Sequence, residues 1–518
     1  MIDGIGWFRL SIPNKLLSVK KLSKLLRGGR IGSAQKDVVE FTSSIKSDQK
    51  LLEAVIKINQ AHVTMLIEQK IIDSQMGAEL LQALAELDPK MKLDPSVEDV
   101  HLAVEEEVNK KVGAETGGNL HIAKSRNDQV ATAIRMTLRT SLHDLINLIV
   151  KLQDSLIELA EEHTETLVPS YTHLHPAQPV TFAHILVSYV DALQRSLKRL
   201  KETLTRVNLS PMGAGAIATT SFPINRERTA ELLGFSGVHE NSIDAVGSRD
   251  FVLETLADLT LLAIDVSRIA EDLILWSSPD FGIIDLPESF AFTSSIMPQK
   301  KNPDVLEVIR ARMSQILGNF VASATTLKAL PSGYNLDLQE LTPKLWESIE
   351  TVSASVSMLS ELAKNLNVNK NVFSKPILKF ATTTELANLL VKKYNVPFRT
   401  SHKIVGTVAK TLLDKKMALS DLTPELLNKT AKNVAGITLA VKLADIKDSI
   451  DPKNFVESHK ATGGPAPAAV KRMLTSRKQL TSHSKQSLKE HKSRLEEADL
   501  QLKSVVQRYQ SNKKMKIR

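Results

Sequence analysis

Five unusually long stretches with apolar residues at helical spacing restrict what this chain can fold into. The first runs from Asn127 to about Glu165, and its apolar residues recur at steps of three and four. A helix of about 30 residues spans about 45 Å, which is longer than most single domains need. Several in succession predict an extended bundle whose remaining apolar stripes pack against partner subunits. The other four stretches are 178–207, 248–276, 303–330 and 337–365.

The rest of the chain also favours helices, so we predict an all-α protein of three helical domains with a long central helix bundle. Aromatic residues make up only 4% of the chain, which suits a helical core of Leu, Ile, Val and Ala. Strand patterns are scarce. The predicted divisions are a basic extension at 1–25, an N-terminal domain at 26–125, the bundle at 126–374, a small C-terminal domain at 375–474 and a basic helical tail at 475–518.

The net charge of +9 belongs to the two ends of the chain and not to its body. Residues 475–518 carry twelve Lys or Arg against four acids, and residues 1–25 carry five against one. Charge at the ends is usually only solubilising, which argues against nucleic acid as a partner. Leu488, Leu495 and Leu502 lie seven residues apart in the tail. We expect a single solvated helix with a narrow apolar stripe rather than a coiled coil.

Cysteine is absent, which excludes disulfides, cysteine nucleophiles and thiolate metal sites. No apolar run approaches the roughly 18 residues that cross a membrane. Residues 1–25 lack the charged region, apolar region and cleavage site of a secretory signal in that order. We therefore expect a cytoplasmic protein without a membrane partner. The first 25 residues fit either an amphipathic surface segment or a disordered extension.

The stretch from Thr293 to Asp304 combines small hydroxyls, two lysines and a helix start. Asn302 suits the N-cap, Pro303 the first helical position and Asp304 the first turn. Two ammonium groups beside free backbone N–H donors make a natural anion site, and an activated serine there could transfer a proton. Taken alone, the stretch favours an ordinary basic loop before a capped helix, because such caps are common and lysines are usually solvated.

A second polar cluster, at 121–129, precedes the first long helix. Lys124 and Arg126 can bind carboxylates, and Arg can do so through two parallel hydrogen bonds. Asn127 or Asp128 could instead simply cap the helix, and the spacing alone favours the cap.

Two more polar clusters lie at helix ends, at 170–179 and 333–340. The first holds His173 and His175 on an expected loop, and without a third ligand at suitable spacing we expect no metal. One of these His could transfer protons or be purely structural. The second offers Tyr, Asn and Gln hydrogen bonds, or is a Gly turn with an Asp cap. Together the clusters predict a site for a polyanion with proton-transfer groups, assembled at a bundle interface.

These clusters, in this order, resemble the argininosuccinate lyase family of the fumarase/aspartase superfamily. The likeness covers about residues 26–470. It includes residues 293–304, here called the signature loop, which carry the family's Gln-Lys-Lys form at 299–301. Several ordered motifs together are strong grounds, where any one alone would be moderate. The matching segments are 26–30, 97–101, 125–132, 171–173, 177–184, 248–250, 293–304 and 334–340.

The resemblance implies cleavage of argininosuccinate to arginine and fumarate in arginine biosynthesis, with no cofactor and no metal. It also implies a homotetramer with a twenty-helix core, whose active sites take residues from three subunits. Ser294 would remove the Cβ proton, and Lys300 and Asn302 would hold the resulting aci-carboxylate. His173, oriented by Glu307, would be the acid or charge relay. The residues that would position the substrate are Ser44, Arg126, Asn127, Thr172, Arg249, Tyr334 and Gln339.

The chain departs from the family pattern in ways that bear on substrate affinity more than on elimination. Ile122-Ala123-Lys124 stands where Thr-Gly-Arg is usual, and Thr293 stands where a Gly usually precedes the serines. Thr342 takes the place of a substrate-contacting Lys, with Lys344 nearby. A β-branched Thr293 should stiffen the loop relative to Gly. Two further departures lie in the first motif, at Arg27 and Ile31.

Two alternatives to this hypothesis stay open. Other fumarate-releasing lyases usually show Met-Pro-Gly-Lys-Val-Asn or Met-Pro-His/Tyr-Lys-Arg-Asn in the signature loop, and Gln299-Lys300-Lys301 disfavours both. The second alternative is a non-catalytic relative, kept as a structural protein or as a binding protein that uses the basic ends. The departures from the family pattern leave that alternative open.

Overall fold

The computed structural model describes residue 30 and residues 35–516, so the expectations for residues 1–25, Arg27 and Ile31 lie outside it. The helices before the bundle are α1 (Lys36–Thr42), α2 (Ile45–Asp48), α3 (Leu52–Glu68), α4 (Ser74–Ala85), α5 (Val100–Val112) and α6 (Ala114–Gly117). The chain continues with α7 (Arg126–Glu162), α8 (Phe182–Val207), α9 (Arg226–Leu232), α10 (Ser242–Gly247), α11 (Asp250–Ser277), α12 (Asp304–Leu327) and α13 (Leu341–Lys364). The remaining helices are α14 (Thr383–Tyr394), α15 (Phe398–Asp414), α16 (Pro424–Ala435), α17 (Leu443–Ile450), α18 (Pro452–Ser458) and α19 (Pro467–Lys516).

The five long helices predicted from the sequence are confirmed as α7, α8, α11, α12 and α13, and with them the all-α fold. Helix α7 packs against α8 and α13, while α11 packs against α12 and α8. A capping box of Ser125 and Asp128 starts α7. Burying one stripe of each helix stabilises the bundle, since each buried Leu or Ile contributes about 1.5–3 kcal/mol. The buried stripe of α7 includes Leu138, Leu142, Leu145, Ile149, Leu152 and Leu156.

Short strands precede or follow several of the long helices in the chain. The strands are β1 (Leu167–Thr172), β2 (His175–Thr181), β3 (Ile284–Asp285), β4 (Phe292–Thr293), β5 (Lys301–Asn302) and β6 (Asn367–Val368), which pair as β1–β2, β3–β6 and β4–β5, all antiparallel. Helix α8 therefore starts four residues after the predicted 178, because β2 runs to Thr181, whose hydroxyl caps the helix at His184 N. A 3₁₀ turn at Leu336–Glu340 likewise delays α13.

Residues 386–446 form a hydrophobic core of their own, separate from the main one. The helices that form this core, α14 to α17, all lie within the segment where a small helical domain was expected, 375–474. The division into domains stays a prediction, and α19 runs through its last boundary at 474/475. In the described part of the chain, no helix is long and apolar enough to cross a membrane.

The tail was expected to be a solvated helix, and that expectation is wrong for one face of it. Helix α19 packs along α7 and also contacts α3, α4, α8 and α9. Leu488 and Leu502 are buried in the main core. The basic residues of the tail neutralise acids of the bundle that lie hundreds of positions earlier, which the local sequence could not reveal. These ion pairs are Arg477–Asp191, Lys478–Glu161 and Lys485–Asp154.

Two leucines of α19 provide a direct test of this packing. Leu502 is 2% exposed, whereas Leu500 is 65% exposed. We expect Leu502→Ala to lower the free energy of unfolding by about 2–5 kcal/mol, because it leaves a cavity against the body. The matched Leu500→Ala should change it by less than about 0.5 kcal/mol. Equal melting temperatures for the two variants would show that the tail does not pack on the body.

Candidate active site

A cavity of about 200 Å³ opens where the first turn of α7 meets the start of α11 and the segment before α13. Polar residues from five separate parts of the chain line it, so the fold alone brings them together. Six of the seven residues expected to position the substrate are among them: Ser44, Arg126, Asn127, Arg249, Tyr334 and Gln339.

Arg126 and Asn127 enter the cavity from the first turn of α7. The Arg126 guanidinium lies 2.8 Å from Asp99 Oδ2 and 3.4 Å from Glu98 Oε1. Asn127 donates from Nδ2 to the carbonyl of Ala216 at 3.1 Å. The sequence left open whether Asn127 or Asp128 is a cap, and the structure assigns the capping to Ser125 and Asp128. Asn127 is therefore available to the cavity.

Carboxylates in the cavity were not predicted as site residues. Asp48 accepts from the Ser44 hydroxyl at 2.6 Å, and Asp99 pairs with Arg126. The pKa of Asp48 is raised to about 6, mainly by burial and also by the nearby charge of Asp99, while the hydrogen bond from Ser44 opposes the rise. The position of Asp99 ahead of α5, where it caps Leu102 N, was the signal for it in the sequence. The cavity is therefore lined by both cationic and acidic side chains, which suits a ligand that carries positive and negative groups.

Arg249 is 1% exposed and carries unused hydrogen-bond donors. Nη1 donates to the carbonyls of Val246 at 3.1 Å and Ser248 at 2.7 Å. Nε and Nη2 have no partner among the described residues. Burial lowers the Arg249 pKa to about 10, so the group stays protonated at neutral pH. A buried cation with free N–H groups beside a cavity is suited to bind a carboxylate, to which these groups can donate.

Tyr334 and Gln339 come from the segment that leads into α13. Gln339 Nε2 donates to the carbonyl of Thr42 at 3.0 Å, which ties this segment to the start of the N-terminal domain. Gly333 has a φ of +89°, and a Cβ there would approach Ile217 Cδ1 to 2.9 Å. A side chain is therefore excluded at the position immediately before Tyr334.

The departures from the family pattern fall differently around this cavity. Lys124 points into the interior, where its ammonium donates to Asn59 Oδ1 and burial lowers its pKa to about 7. It therefore alters the packing behind the cavity and not the lining. Thr342 does line the cavity. Lys344 is half-buried, lies outside the cavity lining and donates to the Glu340 carbonyl at 2.8 Å, so it does not take over the missing charge.

The signature loop is the tip of the β4–β5 hairpin. Ser294 Oγ accepts from Met297 N at 3.2 Å and from Ile296 N at 3.4 Å, so a tight turn fixes the hydroxyl. Lys301 pairs with Asp285 at 2.9 Å. Lys300 is exposed and has no ion pair with another described residue. Of the two lysines, Lys300 is the one left free for a ligand.

The predicted helix start at the end of this loop is wrong by one residue. Asn302 is not the N-cap, because it pairs with Phe292 in the hairpin, and α12 begins at Asp304. Pro303 occupies the cap position with a φ of −85°. Strand pairing on one side and the fixed proline ring on the other displace the cap.

His173 lies in the two-residue turn at the tip of the β1–β2 hairpin, whereas His175, also expected on a loop, is the first residue of β2. His173 has a φ of +55° and the next residue, Leu174, a φ of +59°. Two successive left-handed residues that are not glycine form a strained turn. Thr172 and His173 are exposed, and no hydrogen bond joins His173 to Glu307 within the described subunit. The hairpin therefore presents His173 outward.

The structure thus divides the predicted site residues into two groups. None of the catalytic candidates lines the cavity. Among the described residues, no cluster of His, Asp or Glu could hold a metal ion. The residues expected in the site that lie outside the cavity are Thr172, His173, Ser294, Lys300, Asn302 and Glu307.

Comparisons with known proteins show which family this chain belongs to. A family described as "Lyase" matches residues 29–318, and one described as "Argininosuccinate lyase C-terminal" matches residues 380–457. A curated argininosuccinate lyase of Methanocaldococcus jannaschii is 44% identical over 469 residues, which cover 89% of this chain and 96% of that relative. Another, of Methanothermobacter thermautotrophicus, is 42% identical over 86% of this chain and 96% of its own length.

Solved structures agree with these relatives. EDDS lyase in complex with formate superposes with a TM-score of 0.84 at 31% identity, over 90% of this chain and 93% of that one. A class II fumarase of Schistosoma mansoni has a TM-score of 0.69 at 16% identity, over 82% of this chain and 96% of that one, and shows the fold alone. The bundle and its polar cavity thus define a lyase of the fumarase/aspartase superfamily. Within it, the chain belongs to the argininosuccinate lyase family.

Proposed function

We propose that the enzyme cleaves argininosuccinate reversibly to arginine and fumarate, in arginine biosynthesis in the cytoplasm. The supporting observation is the cavity, where six residues that the family places around the substrate converge. Arg126, Asn127 and Arg249 provide donors for carboxylates, and Asp48 and Asp99 provide acceptors for the cationic groups of the arginine half. The curated relatives that align over about nine-tenths of the chain are argininosuccinate lyases.

The chemistry is an anti β-elimination that the chain's own side chains can perform. Ser294 takes the proton from Cβ, the C–N bond breaks, and the electron pair forms the double bond of fumarate. Lys300, Asn302 and the N-terminus of α12 hold the negative charge that develops on the adjacent carboxylate. His173, with Glu307, returns a proton to the departing guanidino nitrogen or relays charge. The reaction changes no oxidation state and needs no external electron acceptor.

The catalytic candidates and the cavity can meet if they come from different subunits. The outer surface of the bundle supports such an assembly, a homotetramer. Helices α11, α12 and α13 each leave large apolar side chains exposed. Such faces on long helices are suited to burial against other copies of the chain. The outward His173 hairpin and the exposed Ser294 loop would then enter cavities of neighbouring subunits. The exposed apolar residues on these helices are Leu261, Ile264, Val308, Leu317, Val321 and Met358.

Mixed tetramers test whether the sites are shared. We expect Ser294→Ala and Arg126→Ala to be nearly inactive as pure proteins. After the two are unfolded together and refolded, activity should return, because some sites combine the intact loop of one subunit with the intact cavity of another. Each variant refolded alone is the control. No recovery in mixed tetramers confirmed by mass would place both groups in one subunit.

A substrate panel separates this function from its alternatives. Fumarate should appear from argininosuccinate and not from malate, aspartate or adenylosuccinate. Release from one of the others would assign a different fumarate-releasing lyase. Tight binding of argininosuccinate without turnover would favour a non-catalytic relative. The ion pairs of the tail with the bundle give no support to nucleic acid as a partner.

A further inference from the structure

The loop at residues 210–219, here called the backing loop, lies behind the cavity and contacts three of its walls. Its Ala216 carbonyl accepts from Asn127 Nδ2 at 3.1 Å. Its Ile217 carbonyl accepts from Ser242 Oγ at 2.8 Å, at the start of the helix that leads to Arg249. The Ile217 side chain lies against Gly333, next to Tyr334. A shift of this loop would therefore move several lining residues together.

Two side chains of opposite charge hold the backing loop, the half-buried Arg226 and the fully buried Asp128. Arg226 donates from Nε to the Met212 carbonyl at 3.1 Å and from Nη2 to the His239 carbonyl at 2.8 Å. Asp128 Oδ2 accepts from Gly213 N at 3.1 Å and from Gly215 N at 2.8 Å. The Met212 carbonyl of the loop thus faces a guanidinium, and the Gly213 and Gly215 N–H groups face a carboxylate.

The backing loop has little freedom to take another shape. Gly213 has a φ of +83° and Gly215 a φ of +64°, where other residues are strained. A Cβ at Gly215 would lie 2.5 Å from the Thr219 carbonyl oxygen. Thr219 N in turn donates to the Ala214 carbonyl at 2.8 Å. The loop therefore behaves as a tight, closed unit whose position depends on its anchors.

Asp128 also anchors the other side of the cavity. Its Oδ1 accepts from Ser125 N at 3.0 Å, which fixes the turn that carries Arg126 and Asn127. The side chain is 0% exposed, and all three of its backbone contacts are N–H donors. A buried carboxylate is costly unless such donors satisfy it, and an exposed acid would suffice for the cap alone.

We propose that Asp128 is a positioning residue for the reaction, since it locks the first turn of α7 and the backing loop into one register. This inference rests on the proposed function and deepens it. Asp128 itself is fully buried and does not line the cavity. It acts through Asn127, which bonds the loop directly, and through Ile217, which supports Gly333 beside Tyr334.

Asp128→Asn is the sharpest test, because an amide keeps the size and loses one acceptor. Its NH₂ must face either Ser125 N or the two glycine N–H groups, so one anchor becomes a donor opposite a donor. We expect kcat/KM for argininosuccinate to fall about 10²-fold, mainly through KM, since a displacement of about 1 Å in substrate-positioning groups has that effect. Asp258→Asn is the matched control, as Asp258 is 8% exposed and accepts from Thr203 Oγ1 within the bundle.

The control separates positioning from general stability. Asp258→Asn should lower the melting temperature and leave KM within about threefold of the unsubstituted enzyme. A KM for Asp128→Asn equally close to the unsubstituted value would overturn the inference. If Asp128→Asn is insoluble, Arg226→Lys loosens the same loop from its other side, and an unchanged KM there would also overturn it. Turnover by the unsubstituted enzyme is measured first, so failure of the proposed function is seen separately.

Discussion

We expect Ser294→Ala to lower kcat by about 10²- to 10⁴-fold, the usual contribution of a positioned proton-transfer group. The subunits should stay folded and assembled, because the Ser294 side chain is on a surface loop and, within the described part of the chain, accepts only from two neighbouring backbone N–H groups. Steady-state fumarate release and the mass of the assembled protein are the two measurements. KM should change little, because the hydroxyl acts on the reacting proton and does not hold the substrate.

Ser295→Ala is the matched control for that result, since the adjacent hydroxyl is equally small and more exposed. It should retain activity within a few-fold of the unsubstituted enzyme. A near-normal rate for Ser294→Ala, or an equal loss in both variants, would reject Ser294 as the base. A serine hydroxyl is a weak base at its usual pKa, so the loop must close over the substrate and exclude water for this assignment to hold.

The second large effect is expected at Lys300. Replacing it with Met keeps most of the chain length and removes the ammonium, which should lower kcat by about 10²- to 10³-fold, as loss of one oxyanion-stabilising donor does. Lys301→Met is the matched control, because Lys301 pairs with Asp285 at 2.9 Å and its pair is exposed. An exposed pair is worth about 0–1 kcal/mol, so the control should stay near full activity.

The comparison of the two lysines is decisive for their assignment. If Lys301→Met loses activity and Lys300→Met does not, the ammonium that stabilises the transition state is the ion-paired one. If both variants are fully active, neither lysine of the signature loop stabilises the developing carbanion. Both kcat and KM are needed, because an effect on KM alone would make Lys300 a binding group rather than a transition-state group.

The long helices could be predicted because their pattern is local and strong. Leu138, Leu142 and Leu145 follow one another at helical steps, and all are fully buried. The ends of these helices were less predictable, because tertiary pairing decided them. Asn302 has good N-cap chemistry, yet pairing of β5 with β4 draws it into a strand.

The tail shows the same limit on a larger scale. The heptad spacing of Leu488 and Leu502 was visible in the sequence, but the surface that buries it was not. That surface is formed mainly by α7 and α4, which lie several hundred residues earlier in the chain. The basic residues looked like a free charged end for the same reason, since Asp154 and Asp191 meet them only after folding.

The candidate site was predictable where the family likeness is carried by motifs, and not elsewhere. Arg126 and Tyr334 were expected near a substrate, and both line the cavity. Asp48 has no local signal beyond a Ser four residues before it. The roles of His173 and Ser294 stay predictions, because one subunit does not bring them to the cavity.

Product analysis on the unsubstituted protein tests the central proposal most directly. The purified protein is incubated with argininosuccinate, fumarate is followed by its ultraviolet absorbance, and arginine is measured in the same samples. We predict that both products appear in equal amounts and that the mass of the assembly is that of four chains. Intact tetramers that release neither fumarate nor arginine would contradict the proposed function.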